Sequence, residues 1–271
     1  MNMYKLKKLS GLEQKLYFLL EAENLKVVSA EKAMELLGIS RMHAYNLLKN
    51  MRKKGALDRV KSNLFVRIPS HIVHDKGKYV EDLILVGRHL TKPYFYSFYT
   101  ALYLHGLSQQ PASHFYLSTT NHVQKVDYHG LVFHPVILTR KRFFGFKEIK
   151  YREENVFVSD LERTIVGVMN RPEYAGGYEE IIRSFQDLEK VNWKRLLKYL
   201  DRMGEKILFN RTGFLFDMLG KLIDTPEWLL KELEKRLSGN IYYFEKDRKG
   251  TYVKKWKIIV DKRLENVIEG G

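Results

Sequence analysis

Ser29-Ala30-Glu31-Lys32-Ala33-Met34-Glu35-Leu36-Leu37-Gly38-Ile39-Ser40-Arg41-Met42-His43-Ala44-Tyr45-Asn46-Leu47-Leu48-Lys49-Asn50-Met51-Arg52-Lys53-Lys54-Gly55 decides how this chain is read. Ala33, Leu36 and Leu37 share one face of a helix that begins at Ser29. Gly38 ends it, because glycine takes the left-handed conformation of a helix stop without steric cost. Gly38-Ile39-Ser40 then makes a tight turn, and the Ser40 hydroxyl can accept from a free N–H of the next helix. That third helix is predicted from Arg41 to Lys54, with Ala44, Leu47, Leu48 and Met51 as its apolar face and Gly55 as its stop. A short second helix and a tight turn lay the third helix across the second, as in a helix-turn-helix.

The flanks complete the unit. Leu12, Leu16, Leu19 and Leu20 recur with helical spacing and predict a first helix. Ala56–Val60 and Leu64–Ile68 read as two strands joined through Lys61-Ser62-Asn63, and Pro69 closes the segment. Three helices followed by a hairpin predict a winged helix-turn-helix over residues 1–70. With about 100° per residue, Met42, Tyr45, Asn46, Lys49 and Lys53 oppose the apolar face of the third helix. Arg41 and Arg52 lie on one flank, His43 and Asn50 on the other. An outward Asn can read adenine, Tyr or Met can touch a thymine methyl, and Lys or Arg can reach guanine or phosphate. The candidate DNA-binding set is therefore Ser40, Arg41, Met42, Tyr45, Asn46, Lys49, Arg52 and Lys53 on the helix. Arg59, Lys61 and Asn63 are added from the hairpin, where Ser62 and Arg67 also suit phosphates or the minor groove.

Charge points the same way. The 271 residues carry a net charge of +15, and 14 of the 47 lysines and arginines fall in residues 1–70 against 6 acids. Half of the excess thus lies in a quarter of the chain, and an anionic partner is expected, nucleic acid before membrane surface. Smaller basic runs occur at Arg140–Arg152 and Lys246–Arg263. The absence of cysteine excludes a disulfide scaffold, a cysteine-ligated zinc finger, an iron–sulfur centre and a thiol nucleophile. No apolar run of about 18 residues is present, and the basic N-terminus lacks the apolar core of a signal peptide, so a cytoplasmic protein is expected. Few glutamines and many charges of both signs suit a thermophilic source.

Residues 71–271 read as a mixed α/β domain with a helical C-terminal region, and a further boundary is expected near 177. The expected class is α+β. Val80–Val86 reads as a helix or strand, and Tyr94–Tyr99 as the start of an aromatic-rich helix ending at Gly106. Strands are predicted at His114–Thr120, Leu131–Leu138 and Asn155–Val158, with a helix from Asp160 broken at Arg171-Pro172. Four more helices are predicted at Tyr178–Leu188, Trp193–Met203, Thr212–Leu222 and Pro226–Leu237. Ile241–Phe244 and Tyr252–Val260 suggest a final hairpin around Lys249-Gly250. No phosphate loop, dinucleotide fingerprint, nucleophile elbow or zinc helix occurs. His71 with His74, and His129 with His134, are the close histidine pairs. Asp160 and Glu162 are the one carboxylate pair worth weighing for catalysis, but Asp160 stands where a helix cap belongs. No metal or cofactor is expected.

Ser97-Phe98-Tyr99-Thr100-Ala101-Leu102-Tyr103-Leu104-His105-Gly106-Leu107, Val158-Ser159-Asp160-Leu161-Glu162-Arg163-Thr164-Ile165 and Asn170-Arg171-Pro172-Glu173-Tyr174-Ala175-Gly176-Gly177 look familiar together. With the predicted N-terminal unit they resemble the AbiEi family, the antitoxins and transcriptional regulators of type IV abortive-infection (viral defence) systems. Asn210-Arg211-Thr212-Gly213-Phe214-Leu215 is similar to a later helix start of that family, departing from it at Thr212. The resemblance runs in order from about residue 10 to 260. It implies a repressor that binds double-stranded DNA at its own promoter through the N-terminal unit; self-association on that DNA is an expectation of the DNA-binding reading itself, since a dimer meets two half-sites. It also implies a second domain that opposes a nucleotidyltransferase-like toxin; the lack of a catalytic motif in the sequence adds the expectation that the chain is not an enzyme. Two other readings stand beside it: a nuclease or glycosylase delivered by a winged helix, and a regulator whose second domain binds a small molecule.

Overall fold

Short polar side chains set the helix starts of the N-terminal segment. The Glu13 N–H donates to the Ser10 hydroxyl at 3.5 Å and the Ser10 N–H donates to the Glu13 carboxylate at 2.6 Å, a reciprocal cap for α1 (Gly11–Ala22). Ser29 caps α2 (Ala30–Leu37) through the Lys32 N–H at 3.4 Å, and Ser40 caps α3 (Arg41–Lys53) through the His43 N–H at 3.3 Å. Gly38, at φ 67°, closes α2 in the left-handed region. The structure is a computed structural model and describes residues 9–70, 79–108, 113–220, 222–245, 250–261 and 263–264.

Leu16, Tyr17, Leu20, Ala33, Ala44, Leu47, Leu48 and Met51 meet under these helices with Phe65. Phe65 lies on β3 (Leu64–Arg67), the centre of a three-stranded sheet ordered β1-β3-β2, with β2 at Leu57–Lys61. The third strand, β1 (Val27–Val28), escapes sequence reading because two residues carry no periodicity.

The chain divides into two units, each described by itself. One comprises Met1–Lys92, Ser113–Phe115 and Val123–His134; the other comprises Pro93–Ala112, Tyr116–His122 and Pro135–Gly271. The boundary expected at residue 70 therefore falls later in the chain. The fold is α+β. A short helix, α4 (Leu83–Gly87), precedes a six-stranded sheet ordered β6-β7-β5-β4-β9-β8. Its strands are β4 (Tyr94–Tyr96), β5 (His114–Thr119), β6 (Val126–Tyr128), β7 (Leu131–Ile137), β8 (Phe146–Tyr151) and β9 (Glu154–Ser159). β4 pairs antiparallel with β5 and parallel with β9, Tyr96 standing opposite Val158.

Four sequence expectations are corrected here. Tyr94–Tyr96 is strand, not helix: all three rings are buried, as suits aromatics on a pleated surface, and α5 spans only Phe98–Leu104. β6 and β8 were not foreseen, β8 lying inside the basic run Arg140–Arg152. The helix expected from Thr212 starts a turn and a half earlier. The last strands do not form one hairpin, since β10 (Tyr242–Tyr243) pairs parallel with β12 (Ile258–Val260), and only β11 (Thr251–Val253) pairs antiparallel with it. Lys249 lies outside the described residues.

Besides α5, the second unit contains α6 (Leu161–Asn170), α7 (Tyr178–Gln186), α8 (Trp193–Met203), α9 (Lys206–Leu219) and α10 (Glu227–Lys235). Ile165, Ile181, Phe185, Leu200, Phe216 and Leu229 join them in one core with Trp256. That core uses residues on both sides of 177, so no boundary falls there. The Asn210–Leu215 segment has a packing explanation. A Cβ built on Gly213 overlaps the Trp256 ring, so glycine is what lets the indole lie against α9. The Asn210 amide donates to the Trp256 carbonyl at 2.8 Å, and the indole N–H donates to Asp217 at 2.8 Å. Gly213→Ala is expected to cost about 1–3 kcal/mol or more through overpacking. Urea denaturation measures it, and an unchanged midpoint would contradict this packing.

Candidate nucleic-acid interface

α3 is fixed on its inner side and open on its outer side. Ala44, Leu47, Leu48 and Met51 are buried, while Arg41, Met42, His43, Asn46, Lys49, Asn50, Arg52 and Lys53 are exposed. Met42 is 70% exposed, so this apolar side chain stands in solvent beside Asn46 and Lys49. Tyr45 differs from expectation: it is half-buried and packs against the core, so little of its ring is outward. The helix contains no acid, and Arg52 and Lys53 occupy its last turn, where the helix dipole favours cations. Arg41 pairs with Glu31 at 3.0 Å, both well exposed. Such a surface pair is worth at most about 1 kcal/mol and is readily exchanged. Among the described residues, Lys49, Arg52 and Lys53 have no acidic partner within ion-pairing distance.

The hairpin is less open than its sequence suggests. Arg59 is exposed, its Nε donating to the Lys61 carbonyl at 3.2 Å. Lys61 is turned inward: its ammonium donates to the Leu90 carbonyl at 2.8 Å, and burial lowers its pKa. Asn63 is also engaged, its Oδ1 accepting from the Ala30 N–H at 3.0 Å and its Nδ2 donating to Glu31 at 2.7 Å. It thereby helps Ser29 start α2. Arg67 is buried, donating to Glu21 at 3.1 Å and to the Leu25 carbonyl at 3.3 Å. Lys61, Asn63 and Arg67 are thus engaged in internal ties. Their partners lie 29 to 46 residues away in sequence, beyond the reach of a local pattern.

The residues weighed for catalysis or metal binding have structural employment. The Asp160 carboxylate accepts from the Arg163 N–H and from the Tyr199 hydroxyl, both at 2.8 Å. Burial raises its pKa despite these bonds. Glu162 accepts from the Asn192 N–H at 2.8 Å and pairs with Arg195 at 3.5 Å. His129 lies against Asp58, and His134 against His114 at 2.7 Å, so His129 and His134 do not pair with each other. His71 and His74 lie outside the described residues. Among the described residues no three His, Asp or Glu side chains gather as a metal site, and no helix is long and apolar enough to cross a membrane.

The chain is similar to a crystal structure of the Rv2827c protein from Mycobacterium tuberculosis, with a TM-score of 0.67 at 13% sequence identity. The superposition covers 97% of this chain and 96% of that one, so the fold is shared over nearly the whole length. No family model and no curated protein matches the chain.

The buried Glu13 that caps α1 also pairs with Lys54 just past α3, at 2.6 Å. Burial pushes the Glu13 carboxyl up, but the bonds from Lys54 and Ser10 outweigh it and hold the pKa below 4.5. A depressed carboxylate contributes fully above its unfolded value and loses that contribution as pH falls through the folded one. Glu13→Gln is therefore expected to cost about 1–3 kcal/mol at neutral pH and to lose less stability than the native chain below pH 4.5. Thermal melts between pH 7 and 3 read both effects; parallel curves would refute the assignment.

Proposed function

We propose that residues 1–70 form a winged helix-turn-helix that binds double-stranded DNA, with α3 in the major groove. The observation that carries this reading is the outer face of α3, where Asn46, Lys49, Arg52 and Lys53 stand in solvent with no carboxylate partner among the described residues. The helix behind them is seated on a packed core and capped at Ser40. Asn46 and Lys49 face base edges, with Met42 against a thymine methyl. Arg41, Arg52, Lys53 and Arg59 take phosphates, as does the Ser40 end of the helix. Lys61 and Asn63 hold the hairpin in place rather than touch DNA.

On the AbiEi resemblance, the protein is a cytoplasmic transcriptional repressor of its own promoter. Its second domain opposes a nucleotidyltransferase-like toxin encoded nearby. Self-association on DNA would place two half-sites about one helical turn apart.

Gel-shift titration on the DNA upstream of its own gene tests the DNA-binding reading. Specific binding over scrambled competitor is expected, and equal binding to both at every salt concentration would sink it. Replacing Asn46 by Ala should cost about 1–3 kcal/mol of discrimination. Arg52→Met should weaken all sequences and flatten the salt slope by about one unit. Lys61→Met should leave that slope unchanged. Co-expression with the product of the neighbouring gene tests the antitoxin reading: growth rescue supports it, and undiminished toxicity at matched protein levels refutes it.

A further inference from the structure

A pocket of about 90 Å³ opens beside α6 in the second unit, and three arginines line it. Arg142 comes from the turn after β7, Arg163 from the first turn of α6, and Arg171 from its end. Thr139 and Asn170 add a hydroxyl and an amide, and Phe98 supplies an apolar wall. No carboxylate lines the pocket among the described residues.

Arg163 is the unusual member. It is only 4% exposed, and no acid lies within ion-pairing distance of it among the described residues. Its Nε has no hydrogen-bond partner, and Nη2 makes one long bond, 3.4 Å, to the Arg142 carbonyl. The nearby Asp160 carboxylate is committed to the α6 cap and to Tyr199. The Phe144 ring lies 5.1 Å from the Arg163 guanidinium and offers partial compensation, but the same ring faces Arg202 at 3.9 Å. Gly167, one turn along α6, also lines the pocket, and a Cβ there would meet Arg163 Nη1 at an ordinary contact distance of 3.4 Å. A buried cation with unmet donors is costly, and an anion relieves that cost.

The charge count sets the kind of anion. Arg142 is paired with Glu205, whereas the Arg171 side chain donates, among the described residues, to the Tyr174 hydroxyl alone, at 3.2 Å. Among the described residues, Arg163 and Arg171 are left without an ion-pair partner. A planar carboxylate is satisfied by one guanidinium fork, but donors from several elements suit a tetrahedral dianion. We propose that this pocket binds a phosphoryl group, as free phosphate or as the terminal phosphate of a small metabolite, with Arg163 and Arg171 as its principal ligands. The pocket accommodates little more than the phosphoryl group itself, so the rest of any ester lies outside its mouth.

Thermal melts of the full chain test this with inorganic phosphate and with adenosine monophosphate, against chloride at matched ionic strength. A saturable rise in melting temperature with phosphate is expected, because a ligand of the folded state stabilises it by mass action. A larger rise with the monoester assigns the site to a metabolite; a rise with inorganic phosphate alone assigns it to the free ion. Arg171→Ala, at an exposed position, should fold and weaken phosphate at least tenfold. Arg163→Met should abolish the effect if it folds. The Lys49→Met/Arg52→Met variant should retain it in full, which separates this pocket from the proposed DNA-binding face. No saturable rise over chloride, or a full response in Arg171→Ala, would overturn the proposal.

Discussion

The Asp160 carboxylate ties three elements of the second unit together. It ends β9, starts α6 by accepting the Arg163 N–H, and holds the Tyr199 hydroxyl of α8. Two oxygens, each with a directional bond, leave α6 little freedom to rotate or slide. The Thr164 hydroxyl reinforces this by donating to the Asp160 carbonyl at 2.8 Å. Everything on α6 inherits the placement, including the guanidinium of Arg163. The acid fixes the backbone of that arginine while its oxygens stay out of ion-pairing distance of the side chain. One residue thus orders a cation and leaves it unneutralised.

In the first unit the buried Glu13 works in the opposite way. Glu13 closes the cap of α1 and also takes the Lys54 ammonium, so the start of one helix and the end of another are neutralised together. Apolar packing then holds α3 from behind. The cations in its last turns are left to solvent and the helix dipole. The contrast has a physical basis: an exposed lysine is solvated by water, whereas a buried arginine must find its solvation in the protein or in a ligand.

Sequence reading was strongest where period and punctuation agreed. For α3, four apolar residues at helical spacing between Ser40 and Gly55 gave both its limits and its buried face. Asp160 was legible as a cap because capping is a local act. β1 was invisible because two residues have no period. Tyr94–Tyr96 reads as helix in the sequence because a continuous apolar run has the same appearance in a buried strand and a buried helix. The roles of Lys61, Asn63 and Arg67 needed partners from distant chain, and no local pattern announces those. Arg163 lay within a quoted motif, but only the three-dimensional arrangement shows that its charge is buried and its donors unmet. Gly213 was legible as part of a motif, and only the indole of Trp256 explains it.

The parallel pairing of β10 with β12 has a consequence for synthesis. The sheet beneath α3 is complete once Arg67 has left the ribosome, since its three strands lie between Val27 and Arg67. The small sheet of the second unit must wait for Ile258–Val260, because that strand is the centre to which both β10 and β11 bond. Trp256, which completes the core against α9, arrives just before it. The basic helix can therefore be formed while the second unit is still being made. A nascent chain stopped before residue 256 would carry α3 intact and leave the seat at Gly213 empty.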